Sequence, residues 1–177
     1  VRELIDSTLI NSANDAAYLL GAEVGKRIAP EDDPMSVFVS LMNIRAQEIG
    51  LKNTVFYNST GLDLSSTEAG AVGTAEDMGT LMRYMLQHIP DVLAYTHRTN
   101  AHIVSDAGIS HTLENTNYIT HEIPGLRASK TGYTVLAGGN LATVFDAGLG
   151  KPYIIIVLGS THAGRFDDTK RIVQAVM

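Results

Sequence analysis

The run Tyr153-Ile-Ile-Ile-Val-Leu158 constrains this chain more than any other feature. It has no polar face. As a strand it must be covered on both sides, the pattern of a central strand in a sheet. Two strand candidates precede it, Ala128 to Thr134 and Gly139 to Phe145, joined by a short Gly-containing link. A second tight connection, Asp146 to Gly150, leads into the apolar run. Links this short make the three strands antiparallel neighbours. Strand and turn character extends from about Ala101 to Ser160, and Arg165 to Met177 reads as a closing helix with Phe166, Ile172, Val173 and Val176 inward.

The first part of the chain has a different period. Residues 2 to 27 read as two helices separated by Asn11-Ser12-Ala13-Asn14-Asp15, residues that bond nearby backbone and favour caps over helix interiors. Asn14 or Asp15 can cap the second helix, which runs through Ala16, Ala17, Leu19, Leu20 and Val24. Pro34 suits the first turn of a third helix, whose apolar stripe is Met35, Phe38, Met42, Ala46 and Ile49, with Asn43, Arg45, Gln47 and Glu48 on the wet side. Gly50 ends it. Thr54 to Asn58 is a short extended piece, Ser59-Thr60-Gly61 a turn, and residues 62 to 73 a loop rich in Ser and Gly. Thr74 caps a fourth helix with Met78, Leu81, Met82, Met85 and Ile89 on one side. Pro90 stops it, with a short helical piece after it. Helices first, then an antiparallel sheet, then a helix packing back on it, define an α+β or layered α/β sandwich. The expected division is one domain over 1–177, helical to about residue 100 and sheet plus closing helix from about 101.

Bulk properties exclude several functions. A net charge of -6 without any Lys/Arg run argues against a nucleic-acid partner. With no Cys there is no disulfide, thiol nucleophile or Cys-based zinc site. The six His residues (His88, His97, His102, His111, His121 and His162) show no tight ligand spacing and read as solvated or capping residues, so no metal and no cofactor is expected. Asn58-Ser59-Thr60 fits a glycosylation sequon, a tripeptide common by chance.

Two tripeptides can carry chemistry. Ser12-Ala13-Asn14 lies at a helix break, where a hydroxyl and an amide can project into a cleft. Lys130-Thr131-Gly132 lies on a strand between small residues and makes an anion receptor. The ammonium supplies charge, Thr131 a directional donor, and Gly132 leaves the backbone open to a ligand. Each also has a plain structural reading, as a helix cap and as a bulge. Their combination resembles two of the three elements in the motif set of serine β-lactamases and penicillin-binding proteins.

The chain resembles the serine-type D-alanyl-D-alanine carboxypeptidases well beyond these tripeptides. Val1-Arg-Glu-Leu-Ile5 leading into Ser12-Ala-Asn-Asp-Ala-Ala17 resembles their helix–loop–helix. Phe38-Val-Ser-Leu-Met-Asn43, Gly50-Leu-Lys-Asn-Thr54, Asn58-Ser-Thr-Gly-Leu-Asp63 and Thr74-Ala-Glu-Asp-Met78 follow in the family's order. Asn115-Thr-Asn117, Lys130-Thr-Gly-Tyr-Thr134 with Ala137-Gly138, and Arg165-Phe-Asp-Asp-Thr-Lys170 complete the match. The resemblance implies a DD-peptidase-like fold and removal of the terminal D-alanine from peptidoglycan stem peptides through an acyl-enzyme. β-Lactams are inhibitors that imitate the substrate. It implies that Ser12 relays a proton, Asn14 binds substrate backbone, and Lys130 and Thr131 hold the terminal carboxylate. It also implies that the strand from Lys130 through Gly132 to Tyr133 pairs with substrate, with the Tyr133 N–H as half of an oxyanion hole. The implied location is the outer face of a bacterial cytoplasmic membrane or the periplasm.

The family's nucleophile lies in an S-x-x-K element, and this sequence contains none. In the family that element precedes S-x-N, on a helix in the middle of the fold, so this chain reads as N-terminally truncated. Alone it is expected to be inactive, to form no stable penicillin adduct, and to expose an apolar surface that an oligomer or the missing segment covers. Three rivals stand beside this reading: a non-catalytic relative binding peptidoglycan or a protein partner, a β-lactamase-type hydrolase, and a metal enzyme. Ala13, where a class A β-lactamase would carry Asp, favours the peptidase.

Overall fold

The computed structural model describes residues 1–148 and 150–177. Leu149, within the Asp146–Gly150 link, lies outside the described residues. Helices α1 (Arg2–Ile10) and α2 (Asn14–Ile28) flank the polar break, and α3 spans Pro34–Ile49. The α3 ends follow the sequence. Asp33 Oδ2 accepts the Ser36 N–H at 2.8 Å, and Gly50 closes the helix at φ 91°. Such a left-handed conformation burdens any residue with a Cβ. The start of α2 departs from expectation. Ala13 occupies the cap position without a side-chain bond, Asn14 is already helical, and Asp15 Oδ1 accepts the N–H of Ala16.

The contact between α2 and α3 rests on small residues. A Cβ at Gly25 would lie 1.8 Å from the Pro34 carbonyl oxygen, and one at Gly21 would meet the Phe38 ring at 2.7 Å. Ala16, Gly21 and Gly25 are therefore the buried face of α2, and the expected apolar positions Leu19 and Val24 face solvent. In α3 only Ala46 is fully buried; the rest of its stripe is half-buried. Asn43, expected on the wet side, instead clamps strand β1 (Val55–Phe56). Its amide accepts the Phe56 N–H and donates to the Phe56 carbonyl, both at 2.8 Å. β1 pairs antiparallel with β2 (Ala71–Val72), a strand within the segment read as loop.

Helix α4 (Ala75–His88) is capped by Thr74, whose hydroxyl accepts the Asp77 N–H, and a 3-10 turn at Pro90–Leu93 follows. Next come the antiparallel pair β3 (Asn100–Val104) and β4 (Ser110–Glu114), then β5 (Leu126–Thr134), β6 (Gly138–Asp146), β7 (Pro152–Ser160) and α5 (Gly164–Val176). The sheet order is β5-β6-β7, antiparallel throughout. The expectation that the apolar run is a central strand is corrected, because β6 is central and β7 is an outer strand among the described residues. It is nevertheless covered on both sides, as its lack of a polar face requires. α5 covers one face, where Ile155 and Val157 join Leu141, Phe145, Phe166 and Val173. α4 covers the other, where Ile154 and Ile156 meet Met82, Met85 and Val144. On α5 the inward residues are Arg165, Phe166, Thr169 and Val173; Ile172 and Val176, expected inward, are exposed. The result is a layered α/β sandwich, as the sequence indicates.

Candidate active site

The polar break and the first sheet strand meet across a cleft of about 330 Å³. Its walls bring together every site residue expected from sequence: Ser12 and Asn14 on one side, and Lys130, Thr131, Gly132 and Tyr133 on the other. A third wall is the 59–62 loop. That loop is shaped by Asn58, whose side-chain oxygen accepts the N–H groups of Thr60 and Gly61 and whose amide donates to the Leu62 carbonyl. Asp63 Oδ2 then accepts the Leu136 N–H, fastening the loop to the β5–β6 turn.

Ser12 has φ 56°, a non-glycine residue held in the left-handed region. The Cβ makes this conformation costly, by roughly 1–2 kcal/mol, and such strain persists only where surrounding contacts impose it. Here the Ala13 N–H donates to the Ser7 carbonyl, and Lys130 Nζ donates to Ser12 Oγ at 2.6 Å. Lys130 Nζ also donates to the Thr131 carbonyl at 2.6 Å. Burial disfavours the ammonium, and the nearby Arg165 guanidinium adds repulsion, so the Lys130 pKa is pushed down to about 8. Near neutrality Lys130 is still mainly charged, yet close enough to its pKa to exchange a proton.

Arg165 was singled out only as part of the family match. It is 4% exposed, Nη1 donates to the Gly132 carbonyl at 2.6 Å, and its buried Nε has no hydrogen-bond partner among the described residues. Burial lowers its pKa, but a guanidinium stays charged. Lys130 lines the cleft and Arg165 lies beside it at Gly132, two cations close together in a chain of net charge -6. His162 meets the Tyr133 ring edge-on at 4.8 Å, at the outer end of β5. A charged residue near the start of the last helix gives no sequence sign that it folds back onto β5. Only the packing of α5 on the sheet reveals it.

Strand β5 is anchored from behind. Ser129 is buried, with its N–H donating to Thr96 Oγ1 and its hydroxyl to the Thr96 carbonyl. Asn117 Nδ2 donates to Ser129 Oγ at 3.0 Å. Register with β6, Lys130 opposite Ala142 and Gly132 opposite Asn140, completes the fixation. The other edge of β5 has no strand partner among the described residues and faces the cleft. Among the described residues no group of three or more His, Asp or Glu is placed to hold a metal ion. No described helix is long and apolar enough to cross a membrane.

Residues 1–162 match the D-alanyl-D-alanine carboxypeptidase family. A D-alanyl-D-alanine carboxypeptidase of Bacillus subtilis is 32% identical over 134 residues, covering 76% of this chain and 31% of the relative. One from Escherichia coli is 26% identical over 176 residues, covering 98% and 40%. The structure of a Listeria monocytogenes penicillin-binding protein with ampicillin bound superposes with TM-score 0.79 at 34% identity, over 98% of this chain and 65% of that one. A Streptomyces DD-transpeptidase, 23% identical with TM-score 0.80, shares the fold. The chain spans roughly a third to two-fifths of the length of these curated relatives. A match over nearly the whole chain, on the fold and motif order described above, means that this chain belongs to the D-alanyl-D-alanine carboxypeptidase family.

Proposed function

We propose that the intact protein is a serine-type D-Ala-D-Ala carboxypeptidase, and that these 177 residues supply the S-x-N and K-T-G parts of its site but not the S-x-x-K part. The observation that carries this reading is the 2.6 Å contact between Lys130 Nζ and Ser12 Oγ, which joins residues 118 apart in the chain at the mouth of one cleft. The nucleophilic Ser and its neighbouring Lys would come from an S-x-x-K element outside these 177 residues. The nucleophile attacks the bond between the two D-alanines, the terminal D-alanine leaves, and water cleaves the acyl-enzyme.

The geometry supports a role for each residue. Ser12 Oγ accepts from Lys130, so its own O–H is free to donate to the leaving amine. With a pKa near 8, Lys130 can replenish that proton. Lys130, Thr131 and the buried Arg165 form a cationic end suited to the substrate's terminal carboxylate. Asn14, exposed on the rim, is placed to bond the peptide backbone. The free edge of β5 from Lys130 to Tyr133 accepts the substrate as an added strand, with Gly132 keeping the approach open and the Tyr133 N–H serving as one oxyanion donor. Such a donor is worth roughly 3–4 kcal/mol to the transition state. The Listeria relative was solved with ampicillin and with cefotaxime, which supports β-lactams as ligands of the same cleft here. The site of action is the extracytoplasmic face of the bacterial envelope, where the substrate is.

The test is D-alanine release from an acylated Lys-D-Ala-D-Ala tripeptide by the intact protein, together with labelling by a fluorescent penicillin. Both are expected, and both are expected to fail for residues 1–177 alone. An intact protein that binds the tripeptide but neither releases D-alanine nor takes the label would sink the enzymatic reading. It would establish a binding module instead.

A further inference from the structure

Thr116 connects the two motif segments, and none of the roles above uses it. It sits between two buried asparagines, 7% and 1% exposed, that hold their own backbone neighbourhood rigid. Asn115 Nδ2 donates to the carbonyls of Thr96 and Arg98, and Asn117 Nδ2 reaches Ser129 Oγ directly behind β5. From this fixed position Thr116 makes two bonds. Its N–H donates to the Ile10 carbonyl at 3.2 Å, at the end of α1 and two residues before Ser12. Its hydroxyl lies 2.5 Å from the hydroxyl of Thr131.

A pair of hydroxyls shares one proton between the two oxygens, and each keeps one further O–H or lone pair for other use. Thr131 is 7% exposed, and its own carbonyl is already taken by Lys130. If Thr131 spends its proton on Thr116, it offers a ligand only lone pairs, and these repel a carboxylate. When Thr116 donates, the Thr131 O–H is left pointing into the cleft, the arrangement an anionic ligand stabilises. The electrostatics favour this second arrangement, since Lys130 and Arg165 draw a negative group to the same place.

We propose that Thr116 is a positioning residue that donates its hydroxyl proton to Thr131 and so turns the Thr131 O–H toward the ligand's carboxylate, while its backbone N–H sets the distance between the Ser12 break and β5. This inference rests on the carboxypeptidase reading of the cleft. It makes selectivity for a free C-terminal carboxylate depend on a residue that never touches the ligand.

The test is an NMR titration of the intact protein with N-acetyl-D-alanine and with its C-terminal amide. Wild type is expected to prefer the acid. Thr116→Val keeps the backbone bond to Ile10 and loses only the hydroxyl, so affinity for the acid should fall about five- to tenfold, with binding of the amide unchanged. Thr116→Ser should restore the acid's affinity, which also answers any loss of folding in the valine variant. In a Thr131→Val background the Thr116→Val change should have no further effect, because coupled residues are non-additive. Undiminished acid preference in Thr116→Val, or additive losses in the double variant, would overturn the inference and leave the carboxypeptidase reading intact. Wild type binding neither ligand, or both equally, would overturn the carboxylate reading of the cleft and this inference with it.

Discussion

The two halves of the molecule that face each other across the cleft are built differently. The sheet half has two dense cores, one on each face of β6, with Phe145 and Val144 fully enclosed. In the helical half, α2 touches α3 through glycines and alanine, and Leu19, Val24, Ile28 and Ile44 face solvent. Lys130 and Thr131 therefore stand on a rigid ladder. Ser12 is held by a strained backbone and a bond from Lys130 that reaches over from the sheet. The lesson is that position in this site is set from the β5 side, and the Ser12 side is held to it.

Four experiments break or sharpen that contrast. The largest effect belongs to the sheet. Phe145→Ala, in a fully buried position, should cost about 3–5 kcal/mol in denaturant unfolding, against less than about 0.5 kcal/mol for Leu19→Ala on the exposed face of α2. Equal losses would end the distinction.

Lys130 comes next, because its burial opposes folding. Its folded pKa of about 8 lies below the ordinary lysine value of 10.5, so between these the unfolded chain binds more protons and stability rises with pH. The burden is fully present below about pH 8 and is relieved by about pH 10.5. Lys130→Met should therefore stabilise the fold at pH 7 by up to about 3 kcal/mol, with the gain vanishing above pH 10.5. A pH-independent difference would show that Lys130 is not desolvated.

Gly25→Ala tests the small-residue contact. A methyl 1.8 Å from the Pro34 carbonyl must push α2 away from α3, at about 1–3 kcal/mol by thermal unfolding. The smallest effect is at Ser12. Ser12→Gly and Ser12→Ala both lose the hydroxyl, but only alanine keeps a Cβ at φ 56°, so the glycine variant should be more stable by about 0.5–1 kcal/mol. Equal stability would mean that the break relaxes on its own and is not held in place by the sheet half.

The same contrast governs how much could be read in advance. β5, β6 and β7 were legible because short links and an unbroken apolar run leave few arrangements, and the α3 and α4 caps were legible because Asp33, Gly50 and Thr74 act on their own backbone. Apolar stripes were less reliable on α2 and α5. There the buried positions are Gly21, Gly25, Arg165 and Thr169, chosen by how closely a neighbouring element approaches. Asn43 misled for a related reason: a polar residue on a helix reads as solvated until a strand with open backbone groups lies beside it. The six candidate residues expected from the two tripeptides and, for Tyr133, from the family resemblance all line one cleft.

Sequence alone therefore determined the order of the helices, the three-stranded antiparallel sheet and the two motif segments, since these depend on periodicity, turn chemistry and residues close together in the chain. Only the tertiary structure decided the left-handed Ser12, the bond from Lys130 to its hydroxyl, the Arg165 guanidinium at Gly132 and the Thr116–Thr131 pair. Each of these joins distant segments or stores strain that packing imposes, and no local pattern records which distant groups will meet.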